Sequence, residues 1–407
     1  MTQPITSIYL TYDGLTDPLG QSQILPYLVG LSKQGIRFYV VSFEKKERFQ
    51  KLKQPIQTIC KNNNISWIPL AYTKKPPVLS TLWDIWKMNR TIRKLITRED
   101  ITILHCRSYI TSLIGLRYKK KKNVRFIFDM RGFWADERVD GHIWNIKNPV
   151  FALIYRYFKR KEKEFLMQSD AIVSLTEAAK KEITIQICPS ISPDKISVIP
   201  CSADYSKFKK ISEEEVNQVK RELTISSDSI VLGYLGSLGT WYMLDEMLHF
   251  FSLFRQKYPN SIFLFITNDD ITSVISKSKT HGIPVEAIKK VSSPHQEVYR
   301  YLSVCNLSVF FIKPTYSKMA SSATKFAEIM ALQIPIVCNA IGDLKEHIQL
   351  TDNTYCIERF DEESYKKALA KIDVHQKSIA KEYLLHWYDL TRALLEYKKI
   401  YTQLVQA

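Results

Sequence analysis

The sequence is poor in features that indicate a secreted, membrane-spanning or metal-binding protein. Its seven cysteines are scattered without a Cys-x-x-Cys pair, which argues against a disulfide framework or a zinc site and favours reduced cytosolic thiols. The first residues do not show a basic segment followed by an apolar one, and no apolar run approaches the roughly 18 residues that a bilayer span requires. We therefore predict a cytoplasmic protein.

Motifs for two common classes of ligand are also missing. The loop at residues 12–22 contains Gly14 and Gly20 but not the Gly-x-Gly-x-x-Gly pattern, so a nicotinamide dinucleotide site has little support. The sequence contains no zinc finger, KH loop or RNP-like aromatic pattern. We therefore predict no nucleic-acid partner.

Positive charge is the strongest compositional feature of the chain. The sequence has 58 lysines and arginines against 41 acidic residues, a formal net charge of +17. Such an excess favours anionic partners, namely nucleotide phosphates or anionic lipid headgroups. A general effect on solubility is the alternative.

Two stretches of the chain show the same succession of strand, glycine-containing loop, helix and strand. They cover residues 5–43 and 230–267. Such βαβ units form parallel sheets, and 407 residues suffice for two hydrophobic cores. We predict an α/β fold with two Rossmann-like domains, residues 1–205 and 206–380. We also expect one long terminal helix at residues 377–406.

The clearest ligand-binding pattern lies at residues 321–338, which read as a loop, a helix, a turn and a buried strand. Polar residues occupy the start and the first two turns of the helix: Ser321, Ser322, Thr324, Lys325 and Glu328. Either serine suits the helix cap, and the first turn offers amides and a dipole that favour a phosphate. Glu328 is placed to accept hydrogen bonds from sugar hydroxyls. The alternative is an ordinary capped surface helix.

Two polar clusters follow predicted strands in the first half of the chain. They are residues 105–107 and the denser segment 129–138. Ligands bind at the carboxyl ends of strands in doubly wound sheets, so both are candidate sites. A turn-forming or capping role for Asp129, and a structural ion pair or core histidine at Arg107 and His105, are the alternatives.

A predicted helix at residues 149–167 combines an apolar face with a basic one. Arg156, Lys159, Arg160, Lys161 and Lys163 form the basic face. A helix of this kind lies on an anionic membrane surface. The alternative is that the basic face is simply solvated while the apolar face packs in the core.

Taken together, four segments resemble the GT4 family of glycosyltransferases with the GT-B fold: residues 12–22, 129–137, 236–242 and 321–335. In that family two glutamates stand eight residues apart, and the second is followed by Ala-x-Gly-x-Pro. Glu328, Ala331 and Pro335 match this pattern. Ala320 stands in place of the first glutamate, and Gln333 replaces the glycine. Gln333 is therefore expected to adopt a left-handed backbone conformation.

The resemblance implies a GT-B fold, in which two Rossmann-like domains face each other across a cleft. A C-terminal helix, residues 381–407, would return to the first domain. The first domain would bind the acceptor and the second an activated sugar donor. The resemblance assigns the following residues: for donor binding, Gly20, Gly236, Ser237, Lys313, Ser321, Ser322, Thr324, Lys325 and Glu328; for catalysis, Asp129, Arg131, Lys325 and Glu328; for acceptor binding, Arg107, Trp134 and Glu137.

The implied function is retaining transfer of a sugar from a nucleotide diphosphate donor to a glycan or lipid-linked acceptor in bacterial-type surface polysaccharide assembly. Asp269-Asp270 lacks Asp-x-Asp spacing, so we expect cationic side chains to stabilise the leaving diphosphate, with no metal and no other cofactor. The absence of a glutamate at Ala320 leaves two alternatives: a phosphorylated donor such as phosphoribosyl pyrophosphate, or a non-catalytic nucleotide-sugar-binding subunit. The basic surface also suggests peripheral association with the inner face of the cytoplasmic membrane.

Overall fold

Two parallel sheets organise the chain in the computed structural model, which describes residues 5–122, 124–209 and 211–406. Unit 1 extends to Pro200 and also contains Met319–Ser321 and the segment that begins at Leu390. Unit 2 comprises Cys201–Lys318 and Ser322–Asp389. The sequence-based boundaries at 205/206 and 380/381 therefore differ from this division. The sequence also did not predict that Met319–Ser321 would belong to unit 1.

Unit 1 is built on a seven-stranded parallel sheet with the order β3-β2-β1-β4-β5-β6-β7. Its strands are β1 (Ile5–Leu10), β2 (Ile36–Glu44), β3 (Ile65–Ala71), β4 (Ile103–Arg107), β5 (Arg125–Asp129), β6 (Ala171–Ser174) and β7 (Ile196–Val198). The order reverses direction between β1 and β4. That reversal is the switch point where doubly wound sheets bind ligands.

The helices of unit 1 that precede residue 200 cover both faces of this sheet. They are α1 (Pro18–Gln23), α2 (Leu25–Lys33), α3 (Lys46–Asn62), α4 (Leu79–Arg98), α5 (Ser108–Lys122), α6 (Trp134–Asp140), α7 (Pro149–Gln168) and α8 (Glu177–Glu182), followed by a π-helical turn at Ile183–Ile187 and a 3-10 turn at Pro193–Lys195. One apolar cluster unites α4, α5 and α7 with one face of the sheet, and a second unites α2 with the other.

Unit 1 departs from the sequence-based expectation at its first loop, because residues 18–22 are helical. Helix α5 continues through Lys119–Lys122. The segment after Gly132 forms the helix α6, which ends at Gly141. The Thr176 hydroxyl caps α8 by accepting from the Ala179 amide.

Unit 2 repeats the same arrangement with a six-stranded parallel sheet in the order β10-β9-β8-β11-β12-β14. Its strands are β8 (Val231–Leu235), β9 (Ile262–Ile266), β10 (Ile288–Val291), β11 (Leu307–Phe310), β12 (Ile336–Asn339), β13 (Thr351–Asp352), β14 (Thr354–Ile357) and β15 (Ile379–Ala380), where β13 and β15 pair antiparallel. The switch point lies between β8 and β11. Two sheets of this kind confirm the predicted α/β class with two Rossmann-like domains.

The helices of unit 2 surround one large apolar core. They are α9 (Glu213–Glu222), α10 (Leu244–Lys257), α11 (Thr272–Thr280), α12 (Val298–Leu302), α13 (Thr324–Ala331), α14 (Leu344–Ile348), α15 (Glu362–Lys371) and α16 (Glu382–Tyr388), with 3-10 turns at Val285–Ala287, His295–Glu297 and Tyr316–Ala320. Helix α9 begins with a reciprocal capping box between Ser212 and Glu215.

The expectation of one helix over residues 377–406 is wrong. The chain forms β15 and α16 within unit 2, and a new helix, α17 (Leu390–Gln406), then belongs to unit 1. The reason is visible in the packing. Leu384 and Tyr388 are buried in the core of unit 2, whereas Tyr397 and Tyr401 are buried against the sheet of unit 1.

A search of the described ranges for membrane-spanning segments gave a negative result. None of their helices is both long enough and apolar enough to cross a bilayer.

Candidate active site

The loop after β8 shapes the switch point of unit 2. Gly236 has a φ of 116°, a conformation that L side chains rarely adopt. Its amide donates to Ile266 O at 3.0 Å, and the Tyr234 hydroxyl donates to Ser237 O. The Gly236 amide is therefore engaged between the strands, and the predicted part of Gly236 in donor binding stays a prediction.

The same loop is tied to the end of β11. Tyr242 pairs with Ile312 in an antiparallel bridge, and the Lys313 amide donates to Trp241 O at 2.9 Å. These bonds carry Tyr242 across the carboxyl edge of the sheet, next to the start of α13. This bridge could not be predicted from the sequence, since its partners are about 70 residues apart.

Lys325, in the first turn of α13, occupies the centre of this switch point. Its side chain is only 6% exposed, and its Nζ lies 3.7 Å from the ring centre of Tyr242 and 4.2 Å from that of Tyr234. A Cβ atom at Gly236 would lie 3.1 Å from this Nζ, so the glycine also makes room for the ammonium. Aromatic faces attract cations, but they do not replace hydrogen-bond acceptors.

Within the described chain, Lys325 Nζ has no hydrogen-bond partner. Burial lowers the pKa of Lys325 well below its ordinary value, and the nearby Glu328 carboxylate only partly opposes this effect. A buried ammonium without a counterion is costly. An anionic ligand would supply the missing charge and acceptors, and the predicted phosphate-binding role of Lys325 is consistent with this environment.

Glu328 follows one turn later and has a partner that the sequence did not reveal. His295 Nε2 lies 2.6 Å from Glu328 Oε1, and the carboxylate is almost fully buried while the imidazole is half-buried. The pair fixes the orientation of the carboxylate. Because His295 contacts Oε1, the predicted hydrogen bonds from sugar hydroxyls would use the other lone pairs of the carboxylate, and they stay a prediction. A histidine at the start of a 3-10 turn gives no sequence signal of this contact.

The remaining predicted donor residues differ in their surroundings. Lys313 lies just beyond β11 at the switch point, and Thr324 begins α13. The expectation that a serine caps α13 is wrong, because its N-cap is Ala323 without a side-chain bond. Ser322 Oγ instead accepts from the Cys201 amide at 3.2 Å. Ser321 belongs to unit 1.

The helix end after α13 behaves as the sequence predicts. Gln333 has a φ of 58°, the left-handed conformation expected where related sequences carry glycine. The Ile334 amide donates back to Ile329 O at 3.3 Å, which closes the turn before β12. Gln333 therefore adopts the left-handed conformation that glycine would adopt at this position.

At the switch point of unit 1, a charged cluster lies on the face of the sheet that α17 covers. Strand register explains it: Arg107 is aligned with Asp129, and His105 with Tyr9. Residues two apart on a strand share a face, so His105, Arg107 and Asp129 point to the same side. The cluster is built by pairing between strands rather than by proximity in sequence.

Asp129 is the centre of this cluster. Its Oδ2 lies 3.3 Å from His105 Nε2, 3.9 Å from an Arg107 nitrogen and 3.4 Å from the Tyr397 hydroxyl that donates to it. Its Oδ1 lies 3.8 Å from Arg131. Burial would raise the pKa of Asp129, but Arg131, His105 and Arg107 together hold it below its usual value. The carboxylate is thus ionised and compensated by neighbouring cations.

Helix α17 completes the cluster with two tyrosines. The Tyr401 hydroxyl lies 2.7 Å from His105 Nδ1, on the other side of the ring from Asp129. Burial lowers the pKa of His105, so the ring is held neutral between the two partners. Asp129 is only 1% exposed, and its predicted part in catalysis stays a prediction that requires the carboxylate to be uncovered.

The turn after β5 departs from ordinary backbone geometry. Arg131 has a φ of 55° and Gly132 one of 120°. A positive φ is uncommon for a residue with a side chain, and such strain often accompanies functional sites. Here it directs the Arg131 guanidinium back towards Asp129.

The predicted acceptor residues lie on two different elements of unit 1. Arg107 lies in the charged cluster and also pairs with Asp13 at 3.6 Å, whereas Trp134 and Glu137 lie on α6. The Trp134 ring packs against Phe158 at 4.9 Å and Trp144 at 5.2 Å. Packing of this kind gives the tryptophan a structural role, and its acceptor role stays a prediction.

Gly20 has a packing role within unit 1. A Cβ atom there would lie 2.0 Å from Gly14 O and 2.6 Å from Leu15 Cα. The loop that it contacts is held by Glu44, whose carboxylate accepts from the Leu15 amide at 2.8 Å and the Thr16 amide at 3.1 Å. The requirement for glycine is therefore explained by α1 packing on this loop. The predicted contact of Gly20 with the donor stays a prediction.

Ala320, in place of the first glutamate of the pattern, is also explained by packing. The residue is 1% exposed and belongs to the apolar cluster that contains Phe128 and Met130 of unit 1. A glutamate here would bury a carboxylate among apolar side chains unless the segment moved.

A metal site is not evident in residues 5–122, 124–209 and 211–406, which contain no group of three or more suitable side chains. Asp269, which follows β9, accepts from the Leu238 amide at 2.7 Å. That carboxylate therefore supports the loop after β8.

Family models identify the class of protein to which these two units belong. Residues 27–207 match the model described as Glycosyltransferase Family 4, and residues 215–379 match the model described as Glycosyl transferases group 1. The chain belongs to the GT4-like group 1 glycosyltransferases. It is therefore an enzyme of the transferase class, and a non-catalytic subunit is not supported. No curated protein sequence matches the chain.

Solved structures agree with this assignment at the level of the fold. Sucrose-phosphate synthase from Thermosynechococcus elongatus is 10% identical, with 99% of each chain covered and a TM-score of 0.73. HepE from Anabaena, solved with UDP and glucose, is 11% identical, with 98% of this chain and 99% of that chain covered and a TM-score of 0.69. A glycosyltransferase from Rickettsia africae is 14% identical over 99% of both chains, with a TM-score of 0.66. The fold is GT-B, as predicted.

Proposed function

We propose that this glycosyltransferase moves a sugar, with retention of configuration and without a metal ion, from a nucleoside diphosphate donor to a glycan or lipid-linked acceptor. The reaction serves the assembly of a bacterial-type surface polysaccharide on the cytoplasmic side of the membrane. Unit 2 binds the donor and unit 1 binds the acceptor. The neighbouring HepE structure, solved with UDP and glucose, supports a uridine diphosphate sugar as the first donor to test.

The buried Lys325 ammonium is the observation that carries this proposal. It lies at the switch point of unit 2, beside Gly236 and at the start of α13, and it has no hydrogen-bond partner in the described chain. A diphosphate would provide both the opposite charge and the acceptors. Because charge on the leaving group grows as the glycosidic bond breaks, the same ammonium stabilises the transition state more than the ground state.

The transfer step needs no oxidant or external base. The bond between the sugar C1 and the diphosphate oxygen breaks, and its electron pair leaves with the nucleoside diphosphate. A bond forms between C1 and the acceptor oxygen on the same face of the sugar, and the acceptor proton passes to a phosphate oxygen of the leaving group. Lys325 neutralises the diphosphate, and Glu328, oriented by His295, accepts from donor hydroxyls.

A second candidate donor is phosphoribosyl pyrophosphate. Its basis is the alanine at position 320, which removes a negative charge that the family pattern would supply. Burial of Ala320 among apolar side chains offers a simpler reason for the alanine, since a carboxylate in this position would be buried among them. The nucleotide sugar is therefore the favoured donor.

A thermal-shift screen of nucleotide sugars and phosphoribosyl pyrophosphate tests the donor class, because a ligand that binds the folded state raises its melting temperature. We expect a uridine or guanosine diphosphate sugar to give the largest rise. Transfer with that donor should yield a product whose anomeric configuration, read by NMR, matches the donor.

Glu328→Gln tests the proposed donor site in the same screen. It keeps the size of the side chain but loses the charge, and we expect weaker donor binding by roughly tenfold with the fold intact. A larger rise with phosphoribosyl pyrophosphate than with any nucleotide sugar would contradict the proposed donor, and an inverted product would contradict retention.

A further inference from the structure

Helix α4 of unit 1 carries an apolar stripe on its outer side. Leu79, Leu82, Trp83 and Trp86 are between 47% and 63% exposed, although each is large and apolar. Their spacing of three and four residues places them on one side of the first two turns. The opposite side of the helix contributes Met88 and Ile92 to the core, so the stripe is not required for packing within unit 1.

The same side of α4 becomes basic further along. Arg90, Arg93 and Lys94 are exposed and continue the stripe towards the end of the helix. The Arg90 guanidinium lies 5.6 Å from the ring centre of Trp86, which stacks on Trp83 at 4.6 Å. The only acidic residue of α4 is Asp84, which is buried and paired with Lys87. The exposed side thus combines apolar and cationic groups without an exposed carboxylate on the helix.

Helix α7 shows the same division. Val150, Leu153 and Tyr157, in its first three turns, are between 45% and 63% exposed, and Arg160 and Lys163 follow on the exposed surface. Its acidic residues are engaged: Glu162 is fully buried, and Glu164 pairs with Lys161 at 3.0 Å. Ile143 and Ile146, in the segment before α7, add two further exposed apolar side chains.

Both helices present their apolar ends at one edge of the sheet. Helix α5 contacts α4 on one side and α7 on the other, and all three pack in the same apolar cluster. Because α4 leads into β4 and α7 into β6 through right-handed crossovers, each begins at the carboxyl edge of the parallel sheet. That edge also carries Arg107 and Asp129 at the ends of their strands.

We propose that the outer sides of α4 and α7 form one surface that docks on a lipid bilayer with anionic headgroups. The apolar residues of the first turns enter the boundary between headgroups and acyl chains, and the basic residues contact lipid phosphates. Tryptophan is suited to that boundary because its ring is apolar and its N–H is polar. The docking would bring the carboxyl edge of unit 1 to a lipid-linked acceptor, and this last point rests on the proposed function.

The chemistry of the surface favours a bilayer over a protein partner or a second copy of the chain. A second copy would oppose arginines and lysines to the same arginines and lysines. Anionic headgroups instead complement the charge, and the acyl region accommodates leucine, isoleucine and tryptophan without a shaped pocket. The protein alternatives are separate outcomes of the test below.

The test compares sedimentation with vesicles of phosphatidylcholine alone and of an equal mixture of phosphatidylcholine and phosphatidylglycerol. Wild type should sediment with the anionic vesicles, less so as salt is added, and its tryptophan emission should shift to the blue. The double variant Leu82→Ser/Trp83→Ser should bind at least about tenfold more weakly. The double variant Arg90→Gln/Arg93→Gln should bind anionic vesicles more weakly, with affinity lower by about fivefold for each charge removed.

The control is Ile379→Ser/Tyr383→Ser, which removes two comparably exposed apolar side chains from unit 2. It should bind vesicles like wild type. Equal binding by the Leu82/Trp83 variant, or no binding of wild type to anionic vesicles, would overturn the proposal. So would concentration-dependent dimerisation in the ultracentrifuge that the same variant abolishes. Circular dichroism checks that each variant is folded.

Transfer to a soluble acceptor in detergent separates this inference from the proposed function. The Leu82/Trp83 variant should retain that activity, since neither residue belongs to the proposed donor or acceptor site. Vesicle binding by a wild-type protein that transfers no sugar would leave the docking surface standing and remove only the proposed reaction.

Discussion

The two switch points hold buried charges that are neutralised in different ways. In unit 1, Asp129 is surrounded by His105, Arg107 and Arg131, and Tyr397 donates to it. In unit 2, Lys325 is enclosed by the rings of Tyr234 and Tyr242, and the described residues supply no hydrogen-bond acceptor to its Nζ.

This difference separates structural from ligand-binding roles. A buried charge that lies among opposite charges stabilises one arrangement of its surroundings, and removing it leaves those charges uncompensated. A buried charge without a partner costs free energy until a ligand supplies one. We therefore expect substitution of Asp129 to act mainly on stability and substitution of Lys325 to act mainly on binding.

The largest effect should come from Asp129→Asn. The amide keeps the size of the side chain but removes the charge that compensates Arg107 and Arg131, so the free energy of unfolding should fall by about 3–5 kcal/mol. Chemical denaturation measures the loss. Asp245→Asn, at a half-exposed ion pair with Lys277, should change stability by less than about 1 kcal/mol. Equal losses in both variants would contradict the structural role of Asp129.

The dependence of stability on pH should also differ between wild type and Asp129→Asn. Because the pKa of Asp129 is lowered in the folded protein, its ionised form stabilises the fold at pH values above the pKa of an unfolded aspartate. That contribution is lost as the pH falls through the lower pKa of the folded state. The Asn variant should lack this acid-dependent loss.

The next effect in size is that of Lys325→Met. Donor affinity should fall by roughly one to two orders of magnitude, because a charge-assisted contact to the diphosphate is worth about 1.5–3 kcal/mol. The melting temperature without donor should stay the same or rise, since an unpaired ammonium leaves the interior. Calorimetry and thermal unfolding measure the two quantities.

The control for this variant is Lys345→Met, whose side chain is half-exposed on α14. It removes the same charge from a solvated position and should leave donor affinity unchanged. A folded Lys325→Met protein that binds the donor like wild type would contradict the role of Lys325.

The parts of the fold that depend on local pattern could be predicted from the sequence. The strand, glycine loop and helix at each switch point have local signals in apolar spacing and in Gly236. Lys325 and Glu328 could be predicted as site residues because their spacing on a helix and the family pattern around them are local as well. Gln333 could be assigned a left-handed conformation from its place after the helix.

The partners of those residues could not be predicted, because they come from distant parts of the chain. Tyr397 and Tyr401 reach His105 and Asp129 only because α17 packs on unit 1, and nothing in their helical spacing names the strands they meet. His295 meets Glu328 across 33 positions. The rings that pack on Trp134 belong to Trp144 and Phe158, and nothing in the sequence around Trp134 indicates these contacts.

The smallest predicted effect concerns the pH dependence of donor binding. Burial lowers the pKa of Lys325 in the free protein, and a bound diphosphate would raise it again by supplying negative charge. Between these two pKa values, binding takes up a proton, so donor affinity should fall as the pH rises through that interval, by at most about tenfold per pH unit. Below the lower value the lysine is charged in both states, and affinity should be constant.

Calorimetry in two buffers of different ionisation enthalpy measures the proton uptake directly. Glu328, His295, Tyr234 and Tyr242 surround the same site and carry ionisable side chains, so Lys325→Met is the necessary reference. That variant should bind the donor weakly and take up fewer protons than wild type in the same interval. If both proteins take up the same number of protons, the pH dependence belongs to those neighbours. Lys325 would then already be charged before the donor binds. The difference between Lys325 and the compensated charges of unit 1 would in that case be supported by the donor affinities alone.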